Sequence, residues 1–326
     1  MKEISSRREF LKSSAKFTMA AGFFRFGGSS LFANTTKINQ VPFATLNNGV
    51  KMPMLGLGVL GIKDLKECQR VVEDALEIGY RLIDTAQSYT NEAGVGMALK
   101  ATGVKRDEIF VNTKLFKENA VESKVEKSFD ESLKRLNIDY LDSFLIHQPI
   151  NDTYGAWRAM SKLYEQKKVR AIGVSNFYTY RLMDFVMNNE IKPAINQVEC
   201  HPYHQQVDAQ KLMKTLGIQM EAWSPFMQAR QNILQNEVLV TIGKKYNKSA
   251  AQVILRWLNQ RDIITIPKTT KKERLIENIS IFDFSLSDTD MALIATLERT
   301  KPLFNHHDPE KIKWLNERKA GESVKG

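Results

Sequence analysis

Cysteine is scarce in this sequence, and long apolar runs are missing. The 326 residues include two cysteines, Cys68 and Cys200, which cannot build a disulfide framework or a metal site by themselves. No stretch reaches the roughly 18 continuous apolar residues that a membrane span needs. No Gly-x-Ser-x-Gly elbow indicates nucleophilic catalysis by serine. The hydrophobic content of 43% is still enough for one large domain with a substantial core.

Basic residues are concentrated at the start of the chain. The first 33 residues carry six Lys or Arg against two Glu, a net charge of +4 out of the +10 of the whole chain. Because much of the basic excess belongs to this short leader, we infer no nucleic-acid-binding surface. Lys and Arg on the rest of the chain are interpreted as a solvated shell.

The leader also contains an export motif. Ser6-Arg7-Arg8-Glu9-Phe10-Leu11-Lys12 resembles the twin-arginine signal, S-R-R-x-F-L-K, and a weakly apolar stretch and small residues follow as far as Ala33. We therefore expect residues 1–33 to be a signal segment, and residues 34–326 to be a folded domain that the twin-arginine machinery exports to the periplasm. The alternative is a disordered tail on a cytoplasmic protein.

Short apolar runs alternate with amphipathic segments along the rest of the chain. Asn47-Asn48-Gly49 between two short apolar runs predicts a hairpin. Continuous apolar runs predict buried strands, at Leu55–Gly58, Leu82–Asp84, Ile109–Lys114, Leu141–Ile146, Ala171–Val174, Ala194–Glu199, Ile218–Ala222 and Ile263–Pro267. Three- and four-residue apolar spacing predicts helices, at Leu65–Ile78, Glu92–Ala101, Glu122–Leu136, Ala156–Gln166, Tyr180–Asn188, Ala209–Leu216, Val238–Tyr246 and Ala250–Leu258.

This alternation predicts an α/β fold of the (β/α)8 TIM-barrel type, as a single domain, with the hairpin closing the bottom of the barrel. In such barrels the active site lies where the strands end. The residues at the predicted strand ends are Gly58, Asp84, Lys114, His147, Asn176, Gln197, Trp223 and Lys268. Six of these eight are polar or ionisable.

Four residues around these ends predict a proton-transfer site. Asp84 and Lys114 end neighbouring strands and can form a buried ion pair, which is costly to desolvate and so favours a functional reason for its presence. Tyr89 lies five residues after Asp84, and a nearby ammonium lowers the pKa of a phenol. His147 can orient a carbonyl oxygen by a hydrogen bond. Each residue alone also has an ordinary structural explanation: a turn cap, packing, a surface cation or a core histidine.

The sequence is similar to the aldo-keto reductase family over residues 42–315. The similarity is carried by ordered motifs, among them Gly79–Ala86 with Tyr89, Phe110–Leu115, Leu133–His147, Gly173–Phe177, Asn196–Glu199, Ser224-Pro225 and Ile266–Asn278. The resemblance implies reduction of small aldehydes or ketones, keto-sugars included, by hydride from NADPH. It implies that Tyr89 is the general acid, that Asp84 and Lys114 tune it, and that His147 aligns the carbonyl.

The same resemblance implies a set of cofactor contacts. Ser175, Asn176 and Gln197 would hold the nicotinamide carboxamide over Trp223. Lys268, Thr269 and Arg274 would clamp the 2′-phosphate of NADP(H), with Glu277 and Asn278 at the adenine. The implied set is completed by Gly58, Val59, Asp84, Ser224, Pro225, Phe226 and Thr270. Four cations between positions 268 and 274 also suit a phosphate by charge alone, although a solvated helix face is the ordinary alternative.

Two residues of the sequence depart from the family pattern. Gln148 replaces a frequent tryptophan and Phe226 a frequent leucine, so the substrate preference of the family transfers less well to this chain than its mechanism does.

Three other interpretations compete with this one. Gly56-x-Gly58-x-x-Gly61 with Asp84 fits a Rossmann fingerprint, but the eight-strand pattern argues against a Rossmann fold. Cys200 with two nearby histidines suggests a metal, but no fourth ligand follows, so we expect no metal. A non-catalytic, nucleotide-binding barrel is the third interpretation; we expect an enzyme and a monomer.

Overall fold

The computed structural model describes residues 41–322, and the twin-arginine-like segment lies outside these residues. The described chain opens with an antiparallel hairpin of strands β1 (Phe43–Thr45) and β2 (Lys51–Pro53). Gly49, at the turn, has φ of 84°, a left-handed conformation that glycine adopts without steric cost. The hairpin predicted from Asn47-Asn48-Gly49 is therefore present.

The next eight strands form one parallel sheet in which every strand pairs with its neighbour in the sequence. They are β3 (Leu57–Gly58), β4 (Leu82–Asp84), β5 (Phe110–Leu115), β6 (Leu141–Ile146), β7 (Val169–Ser175), β8 (Ile195–Glu199), β9 (Gln219–Trp223) and β10 (Ile264–Thr265). Their residues are almost all buried, as expected for parallel strands covered on both faces.

The two edges of this sheet are joined to each other. Leu55 bridges Thr265 in parallel. The amide of Gly56 donates to the carbonyl of Thr265 at 2.8 Å, and that of Gly58 donates to the carbonyl of Pro267 at 3.2 Å. The curled sheet therefore has the connectivity of a (β/α)8 barrel, with every strand end at one rim.

Helices connect the strands and cover the outside of the sheet. They are α1 (Leu65–Ile78), α2 (Glu92–Ala101), α3 (Glu122–Leu136), α4 (Thr153–Glu165), α5 (Thr179–Met187), α6 (Val207–Leu216), α7 (Glu237–Tyr246), α8 (Ala250–Gln260), α9 (Lys272–Ile279), α10 (Asp288–Ala295) and α11 (Pro309–Glu317). Helix α1 shows why they form. Asp64 caps its first turn by accepting from the amide of Glu67, and Gly79 ends it with φ of 119°.

The hairpin packs against the beginnings of the strands. One cluster of buried side chains joins the hairpin to the inward face of the barrel, at Ala44, Leu46, Met52, Met54, Leu82, Phe110, Leu145, Ala171, Ala194, Ile195, Ile264 and Ile266. Asn47 Nδ2 also donates to the carbonyl of Pro193 at 2.9 Å. These contacts leave the opposite rim, where the strands end, to the polar residues.

The strands and helices expected from the sequence occur within a few residues of their predicted bounds. The structure adds α9, α10 and α11 and the irregular segment Met227–Gln235, which the apolar spacing did not predict. Within the described residues, no helix is both long and apolar enough to cross a membrane. The proposed boundary between residues 33 and 34 lies outside them and stays a prediction.

Candidate active site

A fully buried lysine and aspartate lie at the centre of the rim where the strands end. Lys114 Nζ donates to Asp84 Oδ1 at 2.6 Å and to Oδ2 at 2.7 Å, and its third bond goes to the carbonyl of Thr85 at 2.9 Å. Lys114 is 0% exposed and Asp84 is 2% exposed. The three donors of the ammonium are therefore all used, and the position of its charge is fixed. The predicted ion pair is present.

Two side-chain amides hold the other face of the carboxylate. Asn112 Nδ2 and Gln197 Nε2 both donate to Asp84 Oδ2, the latter at 2.8 Å. Ser143 Oγ donates to Asn112 Oδ1 at 2.7 Å and so fixes the orientation of that amide. Four hydrogen bonds from three side chains thus reach the Asp84 carboxylate and fix its orientation at the base of the site.

A second buried carboxylate shares Gln197 with Asp84. Gln197 Nε2 donates to Glu221 Oε2 at 2.9 Å, and Glu221 is 0% exposed. Glu221 Oε1 is buried and has no partner among the described residues. Burial, reinforced by the charge of Asp84, raises the pKa of Glu221 to about 8. A raised pKa favours the protonated, uncharged form of this carboxyl group.

Tyr89 and His147 stand above this pair. Their rings meet edge to face, with centroids 5.6 Å apart and an interplanar angle of 75°. Lys114 Nζ lies 5.1 Å from the centre of the Tyr89 ring. Ser88 Oγ lies 3.3 Å from His147 Nδ1. Within the described chain Nε2 of His147 has no such partner, so it is the ring nitrogen free to meet a ligand. The structure thus brings together the four residues that the sequence singled out.

The pKa of Tyr89 differs from the expectation. Burial raises it above its ordinary value, while the charge of Lys114 lowers it by less. Lys114 therefore lowers the pKa of Tyr89 as predicted, but the prediction was wrong for the net shift, which is upward. Burial, followed by the positive charges of Lys114 and Arg318, holds the pKa of His147 well below its usual range. Both groups consequently stay neutral at neutral pH.

The residues assigned to the nicotinamide form one connected network beside His147. Asn176 Nδ2 donates to the carbonyl of His147 at 3.1 Å, and Trp223 Nε1 donates to Asn176 Oδ1 at 2.9 Å. Ser175 Oγ donates to the carbonyl of Gln197 at 2.9 Å. Asn176 has φ of 64°, a left-handed conformation that asparagine tolerates and that turns its amide towards the rim.

The glycine at the end of β3 is required by close packing. A Cβ at Gly58 would lie 2.9 Å from the carbonyl oxygen of Ile266, so a side chain there would push the first and last strands apart. Val59, which follows, is fully buried and donates from its amide to the carbonyl of Asp84 at 3.1 Å. After β9, Ser224 has φ of 50° and turns the chain into Pro225 and Phe226.

The predicted phosphate clamp lies after β10 and at the start of α9. Lys268, Lys271 and Arg274 are exposed, and none of them has an ion-pair partner within residues 41–322. Lys272 differs, because it pairs with Glu77 at 2.6 Å and with Asp74 at 3.2 Å on α1. The expected four-cation cluster is therefore a three-cation cluster.

The neighbours of this clamp are placed by the same turn. Thr269 Oγ1 accepts from the amide of Lys271 at 3.1 Å, and the carbonyl of Thr270 accepts from Arg70 Nη2 at 3.0 Å. Glu277 is half-buried and Asn278 is buried on the inner face of α9. The residues expected at the adenine thus follow the cations within one helix.

The segment after α10 returns to the rim and brings His306 to Gln148. His306 Nε2 lies 2.9 Å from Oε1 of Gln148, the residue after His147. Glu199 accepts from the amides of Leu303 and Phe304 and so fixes the segment. The amide of Gly321 donates to the carbonyl of Ser88 at 2.9 Å. The position of Gln148 was a usable signal, but nothing in the sequence indicates where the tail returns.

The histidine and the cysteine considered as metal ligands have other partners. His201 Nε2 lies 2.8 Å from Glu199 Oε1, and Cys200 Sγ lies 3.4 Å from the carbonyl of Gln205. No group of three or more metal-ligating side chains occurs in the described part of the chain. Asp84 is paired with Lys114 rather than placed for a ribose, and the closed sheet differs from an open Rossmann sheet.

The barrel and its rim, with a buried Asp–Lys pair beneath a half-buried Tyr and a half-buried His, define the class of protein. A family model described as "Aldo/keto reductase family" matches residues 54–299, and the chain belongs to that family.

The similarity of the chain to individual proteins agrees with its membership of this family. The chain is 49% identical over 255 residues to a glyoxal reductase of Bacillus subtilis, covering 78% of this chain and 92% of the relative. It is 39% identical over 272 residues to the methylglyoxal reductase DkgA of Yersinia pestis, covering 82% and 96%. A crystal structure of a Bombyx mori aldo-keto reductase in complex with NADP superposes with a TM-score of 0.78 at 32% identity, over 87% of this chain and 99% of that one.

Proposed function

We propose that this protein reduces small aldehydes and ketones to alcohols with hydride from NADPH, and that Tyr89 is the general acid. The observation that carries the proposal is the buried pair of Lys114 and Asp84 beneath the rings of Tyr89 and His147. A charged pair at 0% and 2% exposure costs more to desolvate than apolar packing. Its position directly below a phenol gives it a chemical purpose.

Each residue has a distinct role in the proposed reaction. As negative charge develops on the carbonyl oxygen of the substrate, the Tyr89 hydroxyl donates its proton to that oxygen. The fixed ammonium of Lys114 stabilises the resulting phenolate. Asp84 holds that ammonium in place. His147, neutral and held by Ser88 at Nδ1, donates from Nε2 to the same carbonyl oxygen.

The residues present fit NADP(H). Three cations suit the 2′-phosphate of NADP(H). Lys268, Lys271 and Arg274 are exposed and have no carboxylate partners in the part of the chain that the structure describes. Ser175, Asn176 and Gln197 present amide and hydroxyl groups suited to a carboxamide, and Trp223 offers an indole face. When bound, NADPH would supply the hydride, and these residues would hold its two ends.

The proposed substrates are small carbonyl compounds, dicarbonyls included. The names of the Bacillus subtilis and Yersinia pestis relatives refer to glyoxal and methylglyoxal. The mouth of this site agrees with small polar substrates, because Gln148 and His306 form a hydrogen-bonded pair there. Keto-sugars fit the same description.

We further propose that the protein acts as a monomer and that residues 1–33 direct its export by the twin-arginine route. The support for export is the motif at Ser6–Lys12. Fractionating cells and determining the N-terminus of the protein tests it. Mature protein that begins near residue 34 in the periplasm is the expected result, and an intact cytoplasmic chain would contradict export.

Consumption of NADPH by purified protein tests the activity. Glyoxal, methylglyoxal and simple aldehydes should each oxidise NADPH, and Tyr89→Phe should remove this activity while NADPH still quenches protein fluorescence. A non-catalytic nucleotide-binding barrel is the competing explanation. It would be supported if the wild-type protein bound NADPH and oxidised none with any of these compounds.

A further inference from the structure

Glu221 lies inside the barrel, close to the residues assigned to the nicotinamide. It pairs in register with Gln197 on β8 and with Ile264 on β10, and Ile264 belongs to the inward-facing apolar cluster. Trp223, two residues further along β9, projects to the same face, because successive side chains of a strand alternate between its two faces. The carboxyl group of Glu221 therefore lies next below Trp223 on the inner wall of the barrel.

Stability alone would favour an apolar side chain at this position. The interior of such a barrel is filled mainly by branched apolar residues, and burying a polar group with incomplete hydrogen bonding costs free energy. Glu221 is 0% exposed. Its Oε2 accepts from Gln197, and its Oε1 has no partner within residues 41–322. The reason for a carboxyl group here is therefore to be found in its one hydrogen bond, to Gln197.

Two carboxyl groups fix the side-chain amide of Gln197. Its Nε2 donates to Asp84 Oδ2 at 2.8 Å and to Glu221 Oε2 at 2.9 Å, which uses both of its N–H groups. Turning the amide over would set its Oε1 against the Asp84 oxygen, with no proton between the two acceptors. The Oε1 end of Gln197 is thus held away from both carboxyl groups. It accepts from no residue in the described chain, and unlike Glu221 Oε1 it is not fully enclosed.

The main chain of Gln197 is fixed from the opposite side. Ser175 pairs with it in register, and both the hydroxyl of Ser175 and the amide of Asn176 donate to its carbonyl at 2.9 Å. Without Glu221 the main chain would stay in place, but one side-chain N–H of Gln197 would lose its acceptor. The amide would then be free to rotate towards another acceptor, because a buried donor without a partner is costly.

We propose that Glu221 is a positioning residue for the cofactor, which through Gln197 directs one hydrogen-bond acceptor at the amide NH2 of the nicotinamide. The inference rests on the proposed NADP(H) site, and it adds to that site a residue that does not itself touch the cofactor. Its consequence is selectivity for a pyridine ring that carries an amide over one that carries another carbonyl group.

Nucleotide binding without turnover tests this role. NADP⁺ is compared with its 3-acetylpyridine analogue, which keeps the carbonyl on the ring but has a methyl group in place of the NH2. Wild type should bind NADP⁺ about tenfold more tightly, as expected for one buried hydrogen bond. Glu221→Met should reduce this preference to about twofold or less, by weakening NADP⁺ and leaving the analogue nearly unchanged. Glu221→Gln keeps an acceptor for Gln197 and should retain most of the preference.

Ser143→Ala is the matched control. It also removes one buried hydrogen bond from the same network, the 2.7 Å bond to Asn112, but none on Gln197. It should therefore change the affinity for the two nucleotides equally. Glu221→Val takes the place of the methionine variant if that variant does not fold.

An unchanged preference in Glu221→Met, or equal losses for both nucleotides, would overturn the proposal, as would a wild-type protein without any preference. Because the measurement needs no turnover, its outcome is separate from that of carbonyl reduction. Selective binding without activity would leave the role of Glu221 standing and remove the reduction, and activity without selectivity would do the reverse. Protein that binds neither nucleotide would refute the nicotinamide site and the role of Glu221 together.

Discussion

Lys114 donates to both carboxylate oxygens of Asp84, at 2.6 and 2.7 Å, with both side chains buried. Removing one partner leaves an uncompensated charge in the interior, whereas removing both does not. Lys114→Met should therefore lower the free energy of unfolding by about 3–5 kcal/mol. Adding Asp84→Asn should restore much of that loss without restoring turnover. Urea unfolding of the two single variants and the double variant measures the coupling, and purely additive losses would contradict it.

Tyr89→Phe removes only the hydroxyl from the rim. Because the proton donor is lost while the ring and its contact with His147 remain, kcat should fall by about 10²- to 10⁴-fold. The dissociation constant for NADPH should stay within about twofold. Steady-state kinetics and fluorescence titration make the two measurements. Ser88→Ala is the companion variant: it should reduce kcat far less, since it disturbs only the orientation of His147.

Glu221 gives the stability of the protein a pH dependence of known sign. Its pKa is raised to about 8 from its usual 4.5. A raised pKa in the fold means that its contribution to stability is complete below the unfolded value of 4.5 and is lost as the pH rises through about 8. Glu221→Gln should flatten the fall in stability over this window. Urea midpoints measured from about pH 5 to pH 9 provide the comparison, and parallel curves for the two proteins would argue against a protonated Glu221.

Three cations at the start of α9 should select the phosphorylated cofactor. Lys268→Ala and Arg274→Ala should each weaken NADPH binding by about tenfold or more, and NADH binding much less. Lys272→Ala is the control, because that side chain is already paired with Glu77 and Asp74. Equal losses for NADPH and NADH would show that the two residues do not contact the 2′-phosphate.

The sequence predicted the centre of the site well for a physical reason. Asp84 and Lys114 end adjacent buried strands, and parallel strands bring their ends to one rim, so their contact follows from strand order alone. The pKa of Tyr89 could not be predicted from strand order, because desolvation of the phenol depends on all the groups packed around it. Glu221 carried a usable signal, since it is a charged residue within an otherwise largely apolar strand.

Contacts between residues far apart in the sequence could not be predicted from local sequence patterns. The pairing of Gln148 with His306, and the attachment of Gly321 to Ser88, join residues more than 100 positions apart. Helix α11 itself was within reach of the sequence, because Asp308 and Pro309 make a helix start and Ile312 and Leu315 share a face. Lys272 pairs with Asp74 and Glu77 on α1. The residue spacing within α9 does not predict this contact, because it depends on how α1 packs beside α9.

The joining of the first and last strands also sets when activity can appear during folding. Leu55 and Thr265 are separated by most of the domain, and Gln197 reaches Asp84 across 113 positions. Closing so long a loop is slow relative to forming its helices and neighbouring strand pairs. A refolding chain should therefore regain helical signal well before it can turn over substrate, and a chain cut short before Thr265 should contain the reactive residues but lack the bonds that close the barrel around them.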